Sequence, residues 1–150
     1  MNILILTTSF PSITPKNIGG KFVLFEALGY ACNGAKVNVL TPGFSKKIIE
    51  EYQEENLNIF RFSYFFPFLQ KIVNHGEPIY GKTNLFLKLI SLPFFLFSFF
   101  LHTLSIARNI DIIHCQWTVT VLFALPAKWI FGCKIFVTPR GSDLRLLPKW

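Results

Sequence analysis

Short, unbroken apolar runs alternate along this chain with longer stretches of helical period. Residues 3–7 open with Ile3-Leu4-Ile5-Leu6, a continuous run that predicts a strand covered on both faces, as in a parallel sheet. The polar, proline-bearing stretch 8–15 follows, and Gly19-Gly20 then opens a helix. In that helix Val23, Ala27 and Ala31 form one row at spacing four, and Leu24 and Leu28 form the next. Asn33-Gly34 ends it, with Gly34 suited to the left-handed position after a helix. Residues 36–41 read as a second strand stopped by Pro42-Gly43, and residues 57–62 as a third. Residues 110–115 give a fourth strand, residues 119–131 a helix ended by Gly132, and residues 134–138 a fifth strand. The order β-α-β-β-α-β-α-β predicts an α/β domain built on a doubly wound, mostly parallel sheet with right-handed crossovers.

The longest apolar segment, residues 85–108, is ambiguous by length alone. Between Lys88 and Arg108 no residue is formally charged with His neutral, and these 19 residues suffice to cross a bilayer core of ~30 Å. Its polar residues Lys88, Ser91, Ser98, His102 and Ser105 nevertheless fall within roughly one third of a helical wheel. Pro93 suits a helix capped by Ser91. This ordering fits a core-packed helix, or one lying in a membrane surface, better than a span.

A length of 150 residues suits one domain, here residues 1–150, and such a domain folds without disulfide or metal. The run at residues 3–6 is shorter than the apolar core of a signal peptide and follows no basic residue, so it reads as structure. Hydrophobic residues make up 51% of the chain and charged residues 15%, with 18 Phe, which excludes disorder. The net charge of +7 admits nucleic acid, anionic membrane or phosphorylated small molecules as partners. Only Lys46-Lys47 are adjacent, so no basic arm marks a nucleic-acid binder, and no nucleic-acid partner is expected. Cys32, Cys115 and Cys133 lack metal-ligand spacing and read as reduced, buried thiols of a cytosolic protein; no metal site is expected.

Ligands of such sheets sit at the carboxyl ends of the strands. Three polar segments occupy that edge: residues 8–20, 116–118 and 139–143. Gly19 and Gly20 allow close backbone approach to an anion at a helix N-terminus, or simply a tight start to the helix. On the first reading, Gly20→Val is expected to harm function more than stability. His114, at the end of the fourth strand, is a hydrogen-bonded core residue or a functional one. Gln116 can donate and accept, Trp117 can stack on a sugar or pack, and Arg140 can clamp a phosphate or carboxylate. Asp143 suits a ligand hydroxyl, an ion pair with Arg140 or Arg145, or a helix cap. No catalytic triad, metalloprotease or paired-Cys motif supports hydrolase or metal chemistry.

The ordered set of these segments resembles the N-terminal domain of GT-B fold, family four (retaining) glycosyltransferases. The matching pieces are Ser9-Phe10-Pro11 with Gly19-Gly20; the block 34–41; Arg61-Phe62-Ser63-Tyr64-Phe65-Phe66-Pro67 with Gln70; Asp111-Ile112-Ile113-His114-Cys115-Gln116-Trp117; and Val137-Thr138-Pro139-Arg140-Gly141-Ser142-Asp143-Leu144. Two positions depart from the family pattern, since Gln116 and Arg140 each stand where it has His. The resemblance implies a Rossmann-like fold, the first half of a GT-B architecture. It also implies sugar transfer from a nucleotide sugar, as donor substrate, to a carbohydrate or lipid-linked acceptor, with no cofactor. Gly19 and Gly20 would then lie by the donor diphosphate, and Gln116, Trp117, Arg140, Ser142 and Asp143 on the acceptor side. No catalytic residue transfers, because the family's imidazole is replaced. The family's donor-binding second domain, with its Glu-x7-Glu pattern, has no counterpart in this sequence. The expectation is thus an acceptor-side domain that is not competent alone, cytoplasmic and peripheral on the inner face of the membrane. Two alternatives are a non-catalytic acceptor- or membrane-binding subunit paired with a separate donor-binding chain, and a membrane-embedded protein built around Leu89–Ala107.

Overall fold

The computed structural model describes residues 1–11, 19–43, 55–64 and 85–140, with the side chains of residues 85–88 set aside. Its elements are β1 (Asn2–Leu6), α1 (Lys21–Cys32), β2 (Lys36–Pro42), β3 (Leu57–Phe62), α2 (Leu85–Ala107), β4 (Ile112–Cys115), α3 (Val121–Phe131) and β5 (Lys134–Val137), with a short 3-10 turn at Thr118–Thr120 before α3. The expected order of elements is thus the observed one. Five strands form one sheet in the order β3-β2-β1-β4-β5, and every pairing is parallel. The architecture is α/β and Rossmann-like.

The register follows from which residues alternate across the central strand. Ile3 and Ile5 face α1, where they pack with Val23, Leu24, Ala27, Val37 and Val39. Leu4 and Leu6 face the opposite layer, where Phe99, Ile113, Phe123 and Ala124 meet them. A strand covered on both sides must be apolar at every position, which is why residues 3–6 show no alternation. The two helix rows of α1 are both buried, since Val23, Leu24, Ala27 and Ala31 are each at most 3% exposed.

The other face is covered by α2 and α3. The helix α2 turns a stripe at spacing four onto the sheet: Ser91, Phe95, Phe99, Thr103 and Ala107. Phe99 stacks on Phe123 of α3 at 4.5 Å between ring centroids and lies 5.0 Å from Phe62. The wheel position of its polar residues does not mark the solvent side of α2. Ser91 is buried, whereas Ile90, Phe94, Phe97 and Leu101 are exposed. Hydroxyls account for part of this. Thr103 donates to the Phe99 carbonyl at 2.8 Å, so the helix itself satisfies the group and it can be buried. Cys115 and Cys133 are buried as expected, and burial pushes the Cys115 thiol up to about 11; Cys32, in the last turn of α1 on its solvent side, is exposed instead.

Candidate functional site

The chain leaves β1 for the β2–β3 side and later returns to the β4–β5 side, so the sheet has a topological switch point between β1 and β4. A crevice forms beyond the carboxyl ends of strands at such a point. The segments that meet there are the loop after β1 with the start of α1, and the residues after β4 and β5.

Gly20 caps α1 with φ 78° and ψ 6°, and no side chain caps that end. A Cβ at Gly20 would lie 2.5 Å from the Ser9 carbonyl oxygen and 2.8 Å from the Phe10 Cα. The loop after β1 therefore lies directly on the start of α1, which requires glycine for a packing reason independent of any ligand. This gives substitution at Gly20 a stability cost of its own. No acidic residue stands in the first turn of α1, so its positive end is not neutralised locally.

Across the switch point, one flank of α1 meets β4 and β5 through Phe22, Glu26 and Tyr30, again at spacing four. Glu26 is the hub. Its Oε2 accepts from Gln116 Nε2 at 2.6 Å and from Arg140 Nη2 at 3.3 Å. Tyr30 donates its hydroxyl to Glu26 Oε1 at 3.4 Å, which itself stands 3.6 Å from His114 Nδ1. Arg140 also donates to Gln116 Oε1 and lies over the Phe22 ring, 4.2 Å from its centroid. A carboxylate only accepts and a guanidinium only donates, so the Gln116 amide between them has one orientation.

His114 is fully buried, with Nε2 2.7 Å from Thr138 Oγ1. Burial holds its pKa below the usual 6.5, and Arg140 lowers it further against the opposing pull of Glu26. It is a neutral, hydrogen-bonded imidazole. Burial, then the Glu26 charge, raises the pKa of Tyr30, which stays a neutral donor. Below this cluster an apolar groove of about 210 Å³ runs between Met1, Ile3, Tyr30, Ile112, His114 and Phe136.

The structure brings Gly20, Gln116, Trp117 and Arg140 to one edge. Gln116 is wholly buried and spends both ends of its amide within the cluster. Trp117 is half-buried, and its indole Nε1 is a buried donor without a hydrogen-bond partner. The same holds for Arg140 Nε and Thr41 Oγ1. Among the described residues, all three such atoms lie at the carboxyl ends of β2, β4 and β5. Gly19 precedes the α1 cap; Ser142 and Asp143 lie outside the described residues. No group of residues able to hold a metal occurs among those described.

Two charged residues here escaped the sequence reading as site candidates. Glu26 is the only acid in α1, and its row with Phe22 and Tyr30 was the available signal. Arg61, at the end of β3, donates to the Pro11 carbonyl at 2.5 Å and lies over Phe10, 5.8 Å from the ring centroid. Among the described residues, Lys21, Arg61 and Arg140 outnumber Glu26 at this edge.

Fold and site together define a Rossmann-like α/β domain with a charged, hydrogen-bonded cluster at its switch point. Solved structures share the fold. One is the C-terminal domain of a hydrogenase from Pyrococcus furiosus, with a TM-score of 0.56, 13% identity, and coverage of 91% of this chain and 89% of that one. Another is a sucrose-phosphate synthase from Thermosynechococcus elongatus, with a TM-score of 0.57, 12% identity, and coverage of 97% of this chain and 66% of that one. No family model matches the chain, and no curated protein matches it. At such identities the likeness shows the fold, and one fold hosts many functions.

Proposed function

We propose that the chain is the acceptor-side, Rossmann-like domain of a nucleotide-sugar-dependent glycosyltransferase that works with a separate donor-binding domain. The observation that carries this reading is the set of groups left without partners at the β1–β4 switch point. The Trp117 indole N–H and the Arg140 Nε are buried donors without a hydrogen-bond partner among the described residues. Unpaired buried donors cost about 1–3 kcal/mol each, which a ligand bearing hydroxyls and phosphate would recover. Trp117 offers a flat apolar face to a sugar ring, and Arg140, held by Glu26 and Gln116, offers a fixed guanidinium to an anion. The uncapped start of α1 at Gly20 adds a second attraction for a diphosphate. That one of the solved structures sharing the fold is a sucrose-phosphate synthase is consistent with this reading. A lipid-linked or surface-polysaccharide intermediate is the acceptor class we favour.

In this role Glu26 is a positioning residue, acting through Gln116 and Arg140. The test is ligand-observed NMR on the purified chain with nucleoside diphosphate sugars and with sugar phosphates. Weak binding is expected, lost in Arg140→Ala and in Glu26→Ala while the thermal midpoint of Arg140→Ala stays near wild type. Binding of none of these ligands, or binding indifferent to Arg140→Ala, would refute the proposal.

A further inference from the structure

The layer formed by α2 and α3 has two apolar sides. The inner stripe of α2 is spent on the sheet. Its outer row, Ile90, Phe94, Phe97 and Leu101, recurs at spacings of four, three and four, so it forms a straight seam on the opposite side. Phe97 is 62% exposed, a large cost for a phenyl ring in water. The neighbouring α3 continues the surface with Leu122, Trp129 and Ile130, and Trp129 is 76% exposed. Because Phe99 and Phe123 stack between the helices, the two outward rows lie side by side on one face. A contiguous apolar face of this kind marks an interaction site.

Charge indicates what covers it. Residues 85–140 contain a single acid, Asp111, and its Oδ2 already accepts the Asn2 backbone N–H at 2.7 Å. Three exposed bases flank the layer. Arg108 follows α2, Lys128 lies in the last turn of α3, and Lys134 begins β5. All three collect at the amino edge of the sheet, at the rim of the apolar face. A face-to-face second copy would bring these charges together, three bases against the single acid Asp111 of residues 85–140. A peptide partner would need apolar and acidic surface in one place. An anionic bilayer supplies both: acyl chains for the aromatic rows and lipid phosphates for the basic rim.

We propose that the outer face of α2 and α3 is a membrane-docking surface that lays the domain flat on an anionic bilayer. The helices lie in the interface and do not cross it. Spanning would withdraw Phe95, Phe99 and Thr103 from the sheet and expose Phe62 and Leu6. In this pose the carboxyl edge of the sheet, with its crevice, opens sideways along the membrane, within about one helix diameter, ~10 Å, of the headgroups. The inference does not depend on the glycosyltransferase reading.

The test is co-sedimentation of the full chain with vesicles of phosphatidylcholine alone and of equal parts phosphatidylcholine and phosphatidylglycerol. Binding is expected to the second only, with Trp fluorescence quenched by lipids brominated near the headgroup. The Phe97→Ser/Trp129→Ser variant should bind about tenfold more weakly or worse with an unchanged melting profile. Arg108→Glu/Lys128→Glu, which keeps the apolar face, should do likewise. Equal binding to both vesicles, wild-type binding by either variant, or absence of binding would overturn the proposal. So would retention in the pellet through alkaline carbonate, which indicates a span. Conversion of a dimer to a monomer by Phe97→Ser/Trp129→Ser would assign the face to a second copy instead.

Discussion

The contact between the loop after β1 and the start of α1 makes Gly20→Ala a quantitative probe. At φ 78° an alanine pays the left-handed penalty, about 1–2 kcal/mol. Its Cβ would also lie 2.5 Å from the Ser9 carbonyl oxygen, 2.7 Å from the Ser9 carbonyl carbon and 2.8 Å from the Phe10 Cα. Ordinary contact begins near 3.4 Å, so two backbone segments must separate by several tenths of an ångström, and none of the three atoms belongs to a side chain that can swing away. Overpacking of this sort costs about 1–3 kcal/mol, for a total near 2–5 kcal/mol. Two other glycines provide the comparison. Gly34, at φ 81°, and Gly132, at φ 75°, have no heavy atom within 4 Å of an added Cβ. Alanine at either should cost only the dihedral penalty, about 1–2 kcal/mol. Urea unfolding followed by circular dichroism, at matched slopes, gives the three values. If Gly20→Ala is no more destabilised than Gly132→Ala, the loop does not rest on α1 as described, and the crevice built on that contact is misplaced.

Two further substitutions test the two faces of the sheet. Phe99→Ala should lose about 3–5 kcal/mol in the same unfolding assay, because Phe99 is wholly buried between Phe62 and Phe123; a loss below about 1 kcal/mol would mean that α2 is not docked through its inner stripe. His114 has a folded pKa depressed by burial, so its contribution is complete above the unfolded value of 6.5 and is lost as pH falls through the folded one; His114→Asn should flatten the decline of unfolding free energy below pH 6.5, and an unchanged slope would count against a buried neutral imidazole.

The sheet was legible because burial on both faces leaves a simple trace, runs such as Ile3-Leu4-Ile5-Leu6 with no alternation. The helix α1 was legible because its two inner rows are aliphatic or alanine. Its third row, Phe22-Glu26-Tyr30, was not, because a mixed aromatic and acidic row looks like a solvated flank until β4 and β5 are placed beside it. The pairs that define the cluster are separated by 90 residues for Glu26 and Gln116 and by 114 for Glu26 and Arg140, beyond any local pattern. The orientation of α2 was illegible for a different reason. Wheel analysis assumes that polar groups seek water, but the buried Thr103 returns its hydroxyl to the Phe99 carbonyl at 2.8 Å, and Ser91 is buried as well. Small hydroxylic residues therefore carry little information about the solvent side, and the phenylalanines, present on both sides, carry no more.

The candidate site shows what an amide does between two charges. Gln116 gives one N–H to Glu26 and accepts from Arg140 at its oxygen, so it reads acid on one side and base on the other, and it is wholly buried within the cluster. Its role in the crevice is therefore to hold Arg140, not to touch what binds. The groups that remain for a ligand are the Arg140 Nε, the Trp117 indole N–H and the unneutralised start of α1. All three are donors or positive ends; among the described residues the other unpartnered atom of this edge, Thr41 Oγ1, both donates and accepts. A neutral polyol would leave much of that potential unused, whereas a group bearing phosphate or carboxylate next to hydroxyls would engage all of it. The same cluster that fixes the fold between α1, β4 and β5 thus holds the groups on which the proposed anionic, hydroxyl-bearing ligand would depend.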